Sequence, residues 1–193
     1  MKPTFIIEHL EPKLWPWCMI EYRQISKIIG KSNLWFTNIK NKKDKSRLIR
    51  YGKVIENSVR DIGLKLDKAC ILDPSASKTI IPKEAKQFNY FIFGGILGDY
   101  PARKRTKKEL TINLKDIEKR NIGKKQLSTD NAVYVVKEII KGRNLKSIKM
   151  KNKIEIKINK IESIILPYRY PLINGKPNIS DELIKYLKNK KEF

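Results

Sequence analysis

Two loops carry the groups best suited to chemistry. The first, Phe93-Gly-Gly-Ile-Leu-Gly-Asp99, places three glycines within five residues, directly after the apolar run Tyr90-Phe-Ile-Phe93. Glycine has no Cβ, so main-chain N–H and C=O groups there approach a ligand closely. The second, Gly123-Lys-Lys-Gln-Leu-Ser-Thr-Asp130, offers Gln126 and Thr129 as polar partners and ends where a helix begins. Two such loops converging on one ligand make a small-molecule pocket, which in an open α/β sheet falls beyond the carboxyl ends of the strands. The glycine spacing is not G-x-G-x-x-G, and no P-loop lysine with Ser or Thr follows it, so dinucleotide and phosphate-loop chemistry fit poorly.

Other chemistries are poorly provided for. His9 is the only histidine, so no His pair or triad can hold zinc, and no metal site is expected. Cys18 and Cys70 stand 52 positions apart in apolar surroundings with no C-x-x-C pair, which predicts buried, reduced thiols. Lysine and arginine total 43 against 20 acidic residues, a formal charge of +23. That balance points to a polyanionic neighbourhood, with RNA or the ribosome first. Because 34 of the 43 are lysines, the attraction should be salt-sensitive and weakly sequence-specific.

The elements that must position these loops follow a βαβ rhythm. Thr4 to His9 reads as a strand, Trp17 to Ile29 as a helix, Asn33 to Thr37 as a second strand and Lys40 to Lys45 as a solvated loop. Leu48 to Ile62 fits a helix stopping near Gly63, and Ala69 to Leu72 fits a buried strand. Pro82 to Gln87 reads as a polar connection to the central strand at Tyr90, and Lys124 to Leu127 as another short strand. A helix capped at Thr129 or Asp130 carries Ala132, Val135, Val136, Ile139 and Ile140 and is closed by Gly142. Ile154, Ile156 and Ile158 alternate with polar residues as in a half-exposed strand, Ile164 to Leu166 can pair with it, and Ser180 to about Lys190 is the final helix. One domain is expected over residues 1–193, with an additional β/helix segment over about 146–193. No run approaches the roughly 18 apolar residues that span a bilayer, so a cytoplasmic protein without a membrane partner is expected.

The motifs together resemble a known family. Ile-Ile-Glu-His9-Leu, Leu72-Asp-Pro74, Phe93 to Asp99 with Pro101, Arg103, Arg105 and Thr106, and Gly123 to Asp130 occur in the order found in a SPOUT methyltransferase family. That family contains the fungal arginine methyltransferase of ribosomal protein uS3 and archaeal predicted RNA methyltransferases. The similarity runs from Phe5 to about Leu187. It implies an α/β fold, a mostly parallel sheet flanked by helices with a trefoil knot toward the C-terminus, an exception to unknotted topology. It also implies S-adenosylmethionine as cofactor, held by Leu72, Pro74, Gly94, Gly95, Ile96, Leu97, Gly98, Gly123, Gln126, Leu127 and Thr129. Leu127 and Ser128 stand where relatives carry Met and Thr, changes that keep the pocket's character.

The resemblance implies direct methyl transfer to an arginine of a ribosomal protein, by an enzyme acting as a monomer, with a dimer as the alternative. A guanidinium keeps its proton up to a pKa above about 12, so an acidic group must orient it and assist proton loss. Glu8, Asp99 and Asp130 are the candidates for that role. His9, Arg103 and Arg105 are the candidates for binding substrate. RNA methylation is the alternative reading, and a basic ribosome-binding factor without catalysis is a third.

Overall fold

The structure is a computed structural model that describes residues 2–62 and 66–189. Its centre is a sheet of six short strands: β1 Thr4–His9, β2 Leu34–Thr37, β3 Lys53–Val54, β4 Ala69–Leu72, β5 Tyr90–Gly95 and β6 Glu118–Arg120. They are ordered β3-β2-β1-β5-β4-β6, and every pairing is parallel. Parallel neighbours require crossovers and have both faces covered, so the central strands read as continuous apolar runs. The covering helices are α1 Pro16–Ile29, α2 Lys42–Leu48, α3 Val59–Ile62, α4 Pro82–Ala85 and α5 Thr129–Ile140. This is the expected α/β architecture.

Strand alternation divides the core. Phe5, Ile7, Cys70, Leu72, Phe91 and Phe93 face Cys18, Met19, Tyr22 and Ile25 of α1 and Val133, Val136 and Ile139 of α5. Ile6, Ile71 and Ile92 face the opposite side, with Val59, Leu66, Leu110 and Leu114. The C-terminal segment adds β7 Met150–Lys151, β8 Ile154–Lys157, β9 Ser163–Leu166, β10 Tyr170–Ile173, β11 Lys176–Pro177 and α6 Asp181–Asn189. Strands β8 and β9 form an antiparallel pair, while β10 lies between β7 and β11. Ile154, Ile156, Leu166, Tyr170, Leu183 and Leu187 gather this segment into a third cluster that closes on Ile20 of α1.

Four expectations are corrected. Lys42–Leu48 is a helix, because Asn41 caps it by accepting from the backbone N–H of Lys43 and Asp44. The helix expected from Leu48 is reduced to α3, since Lys53–Val54 instead pairs with β2; its expected stop at Gly63 lies outside the described residues, as does Lys190. Pro82–Ala85 is a helical turn with proline at its start. The strand expected over Lys124 to Leu127 is loop, and the sixth strand is Glu118–Arg120, whose polar composition gives no periodic signal.

Candidate active site

Beyond the carboxyl ends of β4 and β5 lies a cavity of about 470 Å³, within the range of small-molecule sites. Leu72, Asp73, Pro74 and Ser75 form one side of it, Gly94, Ile96, Leu97 and Asp99 another, and Ile122, Gly123, Gln126, Leu127 and Thr129 a third. The three loops inferred from sequence therefore meet around one space. Asp73 is turned away from solvent and accepts from the Ser75 N–H at 2.7 Å, which fixes the first loop. Gly123 has φ +97°, a conformation that side-chain-bearing residues resist, and its N–H is held by Asn121 Oδ1 at 3.0 Å.

The glycine-rich loop is clamped from outside the pocket. Glu11, absent from the sequence reading, accepts from the Leu97 N–H at 2.9 Å and from Arg105 Nη1 at 2.6 Å. Arg105 also donates to Glu109, from Nε to Oε1 at 2.7 Å and from Nη2 to Oε2 at 3.2 Å. These contacts raise its pKa further, Glu109 contributing most. Arg105 lines the cavity, yet its guanidinium is committed to holding the loop. Arg103 and Asp99 also line the cavity, and neither has a side-chain hydrogen-bond partner or an ion pair among the described residues.

Several expected site residues lie elsewhere. Glu8 shares the parity of Ile6 and so faces away from α1 and α5; it is fully buried and accepts from Thr37 Oγ1 at 2.5 Å, Ser58 Oγ at 2.5 Å and the Val59 N–H at 2.9 Å. Three donors explain how an apolar strand ends in a carboxylate. His9 points Nδ1 at the Tyr22 hydroxyl, 2.9 Å away. Burial lowers the His9 pKa and favours the neutral ring. Gly95 pairs in register with His9, and a Cβ there would lie 2.2 Å from the Tyr22 hydroxyl oxygen. Its missing side chain makes room for helix α1 rather than for a ligand. Gly98 lies beneath Tyr168 and Gln126, each close to where its Cβ would stand.

Asp130, in the first turn of α5, is also buried. It accepts from Ser128 Oγ at 2.6 Å and the Asn131 N–H at 2.8 Å. Across from it, Glu21 of α1 accepts from Trp17 Nε1 at 2.8 Å. Desolvation raises the pKa of both carboxyls, and the charge of Asp130 raises that of Glu21 further. Sequence reasoning missed Glu21 because a lone acid in an amphipathic helix looks like a solvated position. Tyr168 and Arg169 were missed for a different reason: 70 residues separate Tyr168 from Gly98, whose carbonyl its hydroxyl donates to at 2.8 Å. The Arg169 N–H likewise donates to the Gln126 carbonyl at 2.8 Å.

The cavity suits the expected cofactor. Ile96, Leu97, Ile122, Leu127 and Ala132 give it apolar lining, and Asp73, Ser75, Gln126 and Thr129 give polar partners. Arg103, Lys104, Lys107 and Lys124 add positive charge at its edge. Cys18 and Cys70 are buried free thiols, each with its pKa pushed up to about 12 mainly by burial. Among the described residues there is no cluster of His, Cys, Asp and Glu suited to a metal, and no helix is long and apolar enough to cross a membrane.

Comparison with known proteins agrees with this geometry. The family described as protein arginine N-methyltransferase SFM1-like matches residues 4–192. Protein arginine N-methyltransferase SFM1 of Saccharomyces cerevisiae is 36% identical, over 95% of this chain and 93% of its own length. The yeast SFM1 structure complexed with SAM superposes with a TM-score of 0.87 at 33% identity, covering 97% of this chain and 91% of that one. The SAH complex gives the same TM-score, with 95% and 94% covered. A Trm10 structure from Thermococcus kodakaraensis shares the fold, with a TM-score of 0.61 at 18% identity over 75% of this chain and 95% of that one. S-adenosylmethionine is thus the methyl donor of the family, and the parallel sheet is that of the SPOUT methyltransferases. Sequence, fold and pocket converge: the chain belongs to the SFM1-like protein arginine N-methyltransferases.

Proposed function

We propose that this chain methylates an arginine of a ribosomal protein, with S-adenosylmethionine held among the 72–75, 94–99 and 122–129 loops. The observation that carries the reading is the meeting of those three loops at one cavity in a chain of this family. When bound, S-adenosylmethionine supplies an activated methyl group for in-line displacement. Ile96, Leu97 and Leu127 are placed to take its apolar surface, while Gln126, Thr129 and Arg103 offer polar and charged partners. The clamp of Glu11 and Arg105 keeps the loop from rearranging. Such alignment is worth on the order of 7–11 kcal/mol in well-oriented reactions.

The rim favours an acceptor carried on the ribosome. Arg103, Lys104 and Lys107 are exposed beside the cavity, as is Lys124 across it. A guanidinium is itself a cation, so a free basic peptide meets repulsion there. The same peptide embedded in RNA brings phosphates that reverse the sign of the encounter.

Labelled S-adenosylmethionine incubated with small ribosomal subunits tests the reading. Label should appear in one protein band and, after hydrolysis, in methylarginine. Label recovered only in RNA would replace this reading with RNA methylation, which the formal charge of +23 also suits.

A further inference from the structure

A second hollow, an open groove of about 370 Å³, runs along the outer edge of β6 between residues 76–78 and residues 115–120. It exists because a backbone ladder stops after one rung. Successive residues of a parallel strand turn their backbone groups to alternate sides. Arg120 faces β4, its carbonyl accepting from the Asp73 N–H at 2.9 Å. Asn121 faces outward, donating to the Lys78 carbonyl at 2.8 Å and accepting from the Ile80 N–H at 3.0 Å. Lys119 therefore faces outward as well, and a continued ladder would pair its N–H with the Ala76 carbonyl. Asn121 Nδ2 takes that carbonyl instead, at 2.9 Å. The two segments part there, and the Lys119 N–H has no partner among the described residues.

The groove is rich in unused donors. Ser77 and Lys78 contribute backbone N–H groups and Ser77 its hydroxyl, none of them hydrogen-bonded among the described residues. The Arg120 guanidinium, 5% exposed, gives Nη1 to Glu118 at 2.6 Å and Nη2 to Glu84, while its Nε is buried and meets no acceptor. With Glu118 engaged by Arg120, the groove sets Lys78, Lys115 and Lys119 against the single carboxylate of Asp116. The Lys119 carbonyl is already filled by Arg120 Nη1 at 2.8 Å. This edge thus offers donors without an acceptor, which suits an anion and not an added strand. The groove also adjoins the cofactor cavity. Residues 72–75 and 122–124 line the cavity, and the same two stretches of chain border the groove at 76–78 and 115–120. Asn121 stands between them, accepting from the Gly123 N–H at 3.0 Å and from Thr79 Oγ1 at 2.9 Å.

We propose that this groove holds backbone phosphates of an RNA strand that runs past the active site. Cations, a hydroxyl and backbone N–H groups are the donors that proteins place on nucleic-acid phosphates, and all three kinds occur here. The occupant is RNA rather than a small anion because the groove leads to the basic cavity rim at Lys124, in a chain of formal charge +23. The Lys119 N–H and the Ser77 donors take phosphate oxygens, while Lys78 and Lys115 release counterions from the strand. The inference goes beyond the choice of acceptor. A strand anchored at β6 positions the particle whether a protein arginine or the RNA itself receives the methyl group.

The test follows fluorescent decauridylate binding to the full chain by anisotropy across a salt series. Lys78→Ala with Lys115→Ala should weaken binding by about tenfold or more and make the slope of log affinity against log salt shallower by about 0.7 for each lysine removed. Lys153→Ala with Lys157→Ala, which removes equal charge from exposed positions of the C-terminal segment, should change affinity by less than about threefold, since neither lysine meets the strand. Both double variants should keep their affinity for S-adenosylhomocysteine. In the isotope-labelled wild-type chain, the Lys119 amide resonance should shift when decauridylate is added. No binding by wild type, no loss from the first double variant, or an equal loss from both overturns the site. A Lys119 resonance unmoved by the RNA overturns it too, and one moved by inorganic phosphate alone assigns the groove to a free anion. Neither measurement reads methyl transfer, so a chain that binds RNA here yet labels no ribosomal protein keeps the groove and loses the proposed substrate.

Discussion

The Glu11 carboxylate bridges Arg105 and the backbone of Leu97, with Oε1 2.6 Å from the guanidinium and 2.9 Å from the N–H. One acid from the turn after β1 thereby fixes a loop more than 80 residues away. Glu11→Ala should free that loop, weakening S-adenosylmethionine binding by about tenfold and lowering stability by about 1–3 kcal/mol, as expected for lost hydrogen bonds to a charged group. Calorimetry with S-adenosylhomocysteine and a denaturant melt check the two effects separately. Arg105→Lys should reproduce most of the loss, because an ammonium cannot serve Glu11 and Glu109 in one plane.

Glu8→Gln separates structure from catalysis. Its amide would turn N–H groups toward Thr37, Ser58 and Val59, all of which now donate to the carboxylate. A loss of about 1–3 kcal/mol is expected from the unmet donors, with turnover per folded molecule unchanged. Abolished turnover in a fully folded variant would return Glu8 to the reaction.

Gly95→Ala should destabilise the fold rather than empty the cavity. The new methyl group would lie 2.2 Å from the Tyr22 oxygen and 3.0 Å from the Glu8 carbonyl, and overpacking of this kind costs about 1–3 kcal/mol. Adding Tyr22→Phe removes the nearer atom and should recover part of the loss. Equal melting temperatures for the single and double variants would contradict the packing argument.

Stability should fall as pH rises through neutrality, and Glu21 should be a main cause. Its burial raises the folded pKa above the unfolded value of about 4.3, so the native state binds more protons than the unfolded chain over that interval. The slope of stability with pH is then negative: the contribution is complete below the unfolded pKa and is lost on passing upward through the folded one. Asp130 adds to the same trend. Glu21→Gln should flatten it and raise the melting temperature at pH 8 relative to wild type. An unchanged slope would mean that the carboxyl titrates normally.

Lys107→Ala with Lys124→Ala tests the rim. If both meet phosphates, the slope of log binding against log salt for small ribosomal subunits should become shallower by about 0.7–0.9 for each lysine removed. Cosedimentation across a salt series measures it, and a slope equal to wild type would place the RNA elsewhere.

The cofactor cavity was legible because its ingredients are local. Gly94 to Asp99 and Gly123 to Thr129 announce loops by composition, and the apolar runs before them announce buried strands. Adjacent positions were harder to divide: Gly94 lines the cavity, whereas Gly95 serves α1, a difference set by strand parity and by the tyrosine opposite. Strand β6 has only Glu-Lys-Arg to announce it and exists through pairing with β4. Glu21, Tyr168 and Tyr170 acquire meaning only when the C-terminal segment folds back on α1 and α5, a closure that no local periodicity encodes.

That closure has a consequence for synthesis. Asn178 donates to Asn131 Oδ1 at 2.9 Å, as Tyr168 does to Gly98, so residues translated last complete walls begun by residues translated long before. A nascent chain halted before residue 168 would lack the hydroxyl that holds the Gly98 carbonyl and the N–H that holds the Gln126 carbonyl. The walls of the cofactor cavity are therefore completed only late in synthesis, once the C-terminal segment can fold back on them.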